Sequence, residues 1–340
     1  MSLTNFPNGI TSFGQPVTPK YWLSNGAEAF FVGSVDASDN NAGTDYDRPL
    51  QRISKATVDK VQSSAGAASG AGDIVYVSAG RYTENVRVMD RDYVRIIGAG
   101  IGATTLVPGD TASTQNTDAL GQSQTITFLN ETTNQTDWGF IIGSRGIVVT
   151  GFTVLCTGNA AGATGAFYIG DGRRISASNN WGSSQFHIYG NNIDGDDTTN
   201  GGWACLWDGF GPGGLMEWNT IYRMRSGGLM VTSGQSRLTL GGTFRFNQVI
   251  ACRGFGIRRN PNYTGGNCAY IHNWIHDDGG SALTNGILLG TIDTGLGDLV
   301  AENSIGTTNA SISVSDAQDR ISGNMNSTAG SAAVTYVSMA

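Results

Sequence analysis

Through the second half of the chain the apolar residues ignore the 3.6-residue period of a helix and recur in a frame about 28 residues long. The segments "HIYGNNI", "MEWNTI", "FRFNQV", "YIHNWI" and "VAENSI" align on Asn191, Asn219, Asn247, Asn273 and Asn303, at intervals of 28, 28, 26 and 30 residues. Three places before each Asn stands an apolar residue (Ile188, Met216, Phe244, Tyr270, Val300). Two places after it stands another (Ile193, Ile221, Val249, Ile275, Ile305). A shortened sixth frame carries Ile321 and Asn324. A second track, "GGLMV", "GFGIR" and "NGILL", spaces Leu229, Ile257 and Ile287 by 28 and 30 residues.

A unit of this size with short strands and sharp turns cannot bury its apolar side alone, but stacked units cover one another. Successive coils about 4.8 Å apart let each strand pair with the strands above and below. An Asn at the same turn of every coil tolerates left-handed backbone and can hydrogen-bond its own image in the next coil. The pattern predicts an all-β fold, a single-stranded parallel β-helix of roughly nine coils between residues 75 and 330.

Upstream, "DIVYVSAGRYTENVRV" alternates at a period of two, breaks at Gly80 and resumes with Val86 and Val88, and "YVRIIGAG" and "TTLVP" continue it. Before these, residues 49–62 read as a short helix with Leu50, Ile53, Val58 and Val61 near one face and Pro49 suited to its first turn. Such a helix would close the open first coil and block its unpaired edges. Residues 1–25 are punctuated by Pro and Gly, and their apolar side chains (Leu3, Phe6, Ile10, Phe13, Val17) are too widely spaced for a helix or a lone strand. They read as an extended arm that docks on another subunit. The expected organisation is an arm over 1–25, a β-helix over 26–330 and a tail over 331–340.

Fifty Gly against seven Pro and only 14% charged residues fit a turn-dense strand protein, while 39% hydrophobic content suffices for a large core. A formal net charge of −7 gives no footprint for phosphate backbones or anionic lipid, so neither nucleic acid nor membrane is an expected partner. Cys156, Cys205, Cys252 and Cys268 form no C-x-x-C pair and no zinc spacing, and read as small buried hydrophobes. The first residues, "MSLTNFPNGITSFG", hold no secretory apolar run, so the product is expected in the cytoplasm where it is made.

With the repeat established, "GDIVYVSAGRYTENVRV", "VRIIGAG" and "TTLV" resemble the first coils of right-handed β-helix proteins of the pectate-lyase-like superfamily. That superfamily includes pectin esterases, polysaccharide lyases and bacteriophage tailspikes. The resemblance spans about residues 28–325 and implies right-handed coiling, but fold does not fix activity. The leading "SLTNFPNGITSFGQPV" resembles the anchoring segments of tailed-bacteriophage virion proteins. That likeness implies a homotrimer bound to phage capsid or tail proteins, in virions assembled in the host cytoplasm.

Catalytic signals are weak by comparison. A pectin esterase would announce itself with "QDTL"-like and "DFIFG"-like segments, which are missing. The acids of "NNIDGDDTTN", Asp194, Asp196 and Asp197, miss the spacing of calcium loops. In "IHNWIHDD", His272 and His276 lie four apart, but on strand and turn, where that spacing does not converge on one metal. No metal or cofactor is expected. The best enzymatic candidate is "WACLWDGFGPGGLMEWN", where Asp208 and Glu217 could face one another across a glycosidic bond beside Trp203, Trp207 and Trp218, since sugar rings pack on aromatic faces. The same tryptophans could equally fill a coil interior or a subunit seam. The expectation is therefore a noncatalytic virion structural protein, a trimeric capsid decoration or cement protein anchored by its arm. The alternative is a tailspike or receptor-binding protein that binds or cleaves host surface polysaccharide, or a bare carbohydrate-binding module.

Overall fold

A computed structural model describes residues 11–12, 15–16, 27–33, 36–60, 72–89, 92–108, 135–157, 163–170, 185–195, 202–208, 213–232, 239–259, 265–277, 283, 285–290, 297–306, 310–314, 319–326 and 335–337. The strands fall into three long sheets of ten, ten and eight members, and the chain visits them in rotation. One coil illustrates the path: Leu215–Glu217 lies in the first sheet, Thr220–Tyr222 in the second and Gly227–Thr232 in the third. The next coil repeats it with Thr243–Arg245, Gln248–Ile250 and Phe255–Arg259, each strand parallel to its counterpart. Nine first-sheet strands follow one another in this way from Ile74–Val77 to Arg320–Ser322. The three sheets are the faces of a parallel β-helix.

Register explains the repeat. On the first face Ile188, Met216, Phe244, Tyr270, Val300 and Ile321 lie in line. On the second face Ile193, Ile221, Val249, Ile275 and Ile305 do the same. The third aligns Val86, Phe140, Phe167, Cys205, Leu229, Ile257 and Ile287. These columns fill one continuous core. Each buried Ile or Leu contributes on the order of 1.5–3 kcal/mol, so the coils hold one another far more strongly than any holds itself.

Where the first face turns into the second, Asn191, Asn219, Asn247, Asn273, Asn303 and Asn324 form a buried ladder. Each Nδ2 donates to the Oδ1 of the Asn one coil on, at 2.9–3.2 Å. That same Oδ1 accepts the earlier Asn's backbone N–H. The left-handed backbone expected at these Asn residues belongs instead to the residue before each: Gly190, Trp218, Phe246, His272, Glu302 and Gly323 all have φ between 53° and 64°. The turn must swing the chain outward before the Asn enters, and that earlier residue takes the swing.

The N-terminal end is closed by Ala29–Val32, which pairs in parallel with Ile74–Val77, and by a helix. The helix begins later than the expected 49–62, at Ile53, and residues 61–62 lie outside the described residues. It runs Ile53–Lys55 and continues as a wider π turn over Ala56–Lys60. Leu50, Ile53, Ala56 and Thr57 are buried, Val58 is half-buried and Val61 lies outside the described residues. Its own flank supplies no side-chain cap. The carboxylate of Glu84 does so from the first coil, accepting the N–H groups of Ile53 and Ser54 at 2.8 Å each. At the other end, Thr335–Val337 runs antiparallel to Asn324–Asn326 and closes the second sheet.

One inward column breaks the apolar rule. Val231 is followed by Arg259 and then Leu289, and Arg259 is fully buried. Its guanidinium bonds Asp298 and Asp319, both buried, at 2.8–2.9 Å, and also the carbonyl of Gly290. Asp298 in turn accepts the N–H of Cys268, and Asp319 that of Asp298. The last coils are thereby tied by ionic as well as apolar contacts.

In the arm, Thr11–Ser12 pairs with Gln15–Pro16 as a small antiparallel ladder. The proposed docking residues Leu3, Phe6, Ile10, Phe13 and Val17 lie outside the described residues.

Candidate functional site

The structure disperses the residues named as enzymatic candidates. Asp208 ends the third-face strand Trp203–Asp208, in register with Gly170 and Thr232, and its side chain lies outside the described residues. Glu217 ends the first-face strand of the following coil. Its carboxylate is clamped between His187 Nε2 at 2.9 Å and Arg245 Nε at 2.7 Å. Burial pushes this acid up, but the hydrogen bonds from Arg245 and His187 outweigh it and hold Glu217 below the ordinary glutamate value. A general acid needs the opposite shift. The three tryptophans also part: Trp207 enters the core against Phe186, Trp203 is buried in an outer cluster of the third face, and Trp218 stands 61% exposed.

Asp194 is held bidentate by Arg223 at 2.6 and 3.0 Å, and Asp196 and Asp197 lie outside the described residues. His276 sits on the second face beside Trp274 and Ser304, whereas His272 sits on the corner and bonds Glu302 at 3.0 Å. Among the described residues no group of three or more His, Cys, Asp or Glu is placed to hold a metal ion.

Part of the outer side of the third face is apolar. Trp138, Ile141, Tyr168, Trp203, Leu206 and Met230 are buried there as a cluster separate from the coil interior, with Phe255 against them. The same outward column starts at Arg87 and continues into Arg258, so cationic side chains flank the cluster at both ends.

The exposed feature is the corner column. Reading down the coils, the left-handed position is occupied by Gly151, Gly190, Trp218, Phe246, His272, Glu302 and Gly323. The Trp218 and Phe246 rings stack with centroids 4.5 Å apart and planes 12° apart, and Phe246 and His272 at 5.0 Å and 3°. Arg245 lies over Phe246 from the side. Glycine is the residue this backbone favours, and a bulky side chain there costs roughly 1–2 kcal/mol. Four consecutive rungs, Trp218, Phe246, His272 and Glu302, carry that cost, and along the first three it is partly offset by ring stacking of about 0.5–1.5 kcal/mol per pair. Trp218 and His272 stand out in the sequence singly, but not as one column with Phe246, because each sits one place before the Asn on which the repeat aligns. The signal is there: the letters before the successive Asn read G, W, F, H, E, G.

No protein-family profile and no curated protein matches the sequence. Solved structures of similar shape include an alginate lyase from Paenibacillus sp. str. FPU-7, at 10% identity and TM-score 0.46 over 82% of this chain and 93% of that one. XylC in complex with xylose matches at 11% and 0.43 over 88% and 69%, and a pectin methylesterase in complex with a hexasaccharide at 10% and 0.40 over 90% and 91%. Likeness at this level concerns fold alone. The strand registers and the three parallel sheets define the chain as a parallel β-helix protein.

Proposed function

We propose that the chain is a noncatalytic structural protein of a bacteriophage particle: a trimeric, right-handed β-helix on the capsid surface, acting as a decoration or cement protein and held by its arm over residues 1–25. Right-handed coiling is what parallel crossovers adopt almost without exception. The observation that carries the reading is the state of the candidate catalytic groups. Glu217 is bonded to both His187 and Arg245, Asp208 lies on a different face, and an apolar cluster is buried on the outer side of the third face. What remains is a rigid prism whose cohesion comes from stacked columns and an Asn ladder, suited to bearing load and resisting proteolysis.

The test is direct. Particles are incubated with the full chain and with a chain lacking residues 2–17, and bound protein is quantified after sedimentation, with an antibody locating it on capsid or tail. The truncated chain should keep its β-rich circular dichroism and lose binding; equal binding by both removes the docking arm. Sedimentation velocity of the full chain should give a trimer.

A second reading, a receptor-binding protein that grips surface polysaccharide, is favoured by one observation: the exposed aromatic corner at Trp218, Phe246 and His272.

A further inference from the structure

The stack at the corner has a free end. Phe246 covers one face of Trp218, so the opposite face points along the helix axis toward the preceding coil. The corner residue of that coil is Gly190, and the one before it is Gly151. Among the described residues, a Cβ built on Gly190 would meet only Thr150 Oγ1 within 4 Å, at 3.4 Å. The missing side chain leaves open one rung of about 4.8 Å along the axis. A saturated ring laid on an indole at the usual carbon–carbon separation of 3.5–4.0 Å fills that rung, and the step ends at Gly151, where a Cβ would meet the carbonyl oxygen of Gly98 at 2.7 Å.

The strands either side of the turn are polar: Thr150, Tyr189, Asn192 and Thr220 are half-buried there, while the Glu217 carboxylate is buried and taken by His187 and Arg245. A flat aromatic floor flanked by hydroxyl and amide groups fits a pyranose ring, whose C–H-rich face stacks while its equatorial hydroxyls take hydrogen bonds. The net negative charge argues against polyanions. We propose that the Trp218 step, bounded by Gly190, is a carbohydrate-binding site for neutral hexopyranose chains. This rests on and deepens the polysaccharide-gripping reading above by naming the floor and the sugar class, and it stands apart from the reading as a capsid protein, which the particle-binding test decides separately.

Backbone compatibility makes the test clean. Asn tolerates the left-handed conformation, so Trp218→Asn removes the floor and Gly190→Asn fills the space above it without straining the turn. Affinity electrophoresis in gels containing dextran, galactomannan, hydroxyethyl cellulose or glycogen measures binding of the wild-type chain and both variants. Wild type should be retarded by at least one polymer, and each variant should bind that polymer at least tenfold more weakly. Gly190→Asn should leave the Tm unchanged, and Trp218→Asn should leave it at or above wild type. Three results would overturn the proposal: no retardation by any of the four, retardation equal in wild type and variants, or loss of oligomerisation in Trp218→Asn, which would make the corner a subunit contact. A clear fall in the Tm of Trp218→Asn with binding retained would mark the stack as merely structural.

Discussion

Asn247 sits mid-ladder with no exposed surface, and replacing it separates two kinds of hydrogen-bond loss. Its Nδ2 donates to the carbonyls of Met216 and Arg245 at 2.9 Å and to Asn273 Oδ1 at 3.2 Å. Its Oδ1 accepts the backbone N–H of Asn219 at 3.1 Å and its Nδ2 at 3.0 Å. Asn247→Ala strands the Asn219 backbone N–H in a site closed to water, while Asn219 Nδ2 keeps the carbonyls of Ile188 and Glu217; that costs about 1–3 kcal/mol, and the cavity left behind costs about as much again. The expected loss is about 4 kcal/mol, which lowers the Tm on the order of 10 °C. Asn247→Asp keeps both acceptor functions of Oδ1 but turns the donor group into a second acceptor oxygen facing three oxygens. Ionisation there is opposed by burial and by those oxygens, so the folded pKa of the new acid lies above its unfolded value of about 3.9. Its stability is then fullest below that value and falls as pH rises through the folded pKa. Guanidinium unfolding followed by far-UV circular dichroism at pH 3.8, 5 and 7 should show the alanine variant weakened at every pH and the aspartate variant weakened increasingly. Asn40→Ala, at an exposed loop position, serves as the neutral control. Coils contact only their neighbours, so hydrogen exchange should show the damage centred on those carrying Asn219, Asn247 and Asn273. An alanine variant within 1 kcal/mol of wild type, or an aspartate variant as stable as wild type at pH 7, would refute the account of the ladder.

Arg259→Met should cost about 3–5 kcal/mol, because it leaves the Asp298 and Asp319 carboxylates buried without their cation. Adding Asp298→Asn and Asp319→Asn should restore most of that by keeping the Oδ1 acceptors and removing the charge, and a triple variant no more stable than the single one would contradict this. Glu84→Ala should loosen the capping helix by about 1–3 kcal/mol by orphaning the Ile53 and Ser54 N–H groups. Burial raises the Glu84 pKa more than those hydrogen bonds lower it, so its contribution is complete below the unfolded value and declines as pH rises through the folded one. The stability gap between wild type and Glu84→Ala in urea should therefore narrow from pH 4 to pH 7; a widening gap would reverse the assignment. The four thiols are buried, and desolvation raises those of Cys156 and Cys205 and pushes Cys252 up to about 12. Ellman's reagent at pH 8 should titrate none of them within minutes in the folded chain and all four in guanidinium; a fast native thiol would show an open coil.

What the sequence reveals and conceals here follows from how stacking reorders neighbours. Placing residue i above residue i+28 turns a repeat in the chain into a column in space, so Ile221 over Val249 over Ile275 could be read directly from spacing. The same operation brings together groups that no local pattern links. Glu84 caps a helix that begins 31 residues earlier, and Arg259 meets carboxylates 39 and 60 residues on. Trp203, Trp207 and Trp218 look like one aromatic cluster in the chain, yet strand alternation and a corner send them outward under cover, inward and into solvent. The inside of a β-helix is legible because every coil must meet the same demand, to be apolar at the same place. Its outer columns carry no such common demand, so the run Trp218, Phe246, His272 and Glu302, set between Gly190 and Gly323, departs from the glycine its backbone favours and points to a role beyond folding. That departure, at a position the repeat itself defines, is the strongest pointer to function that this chain contains.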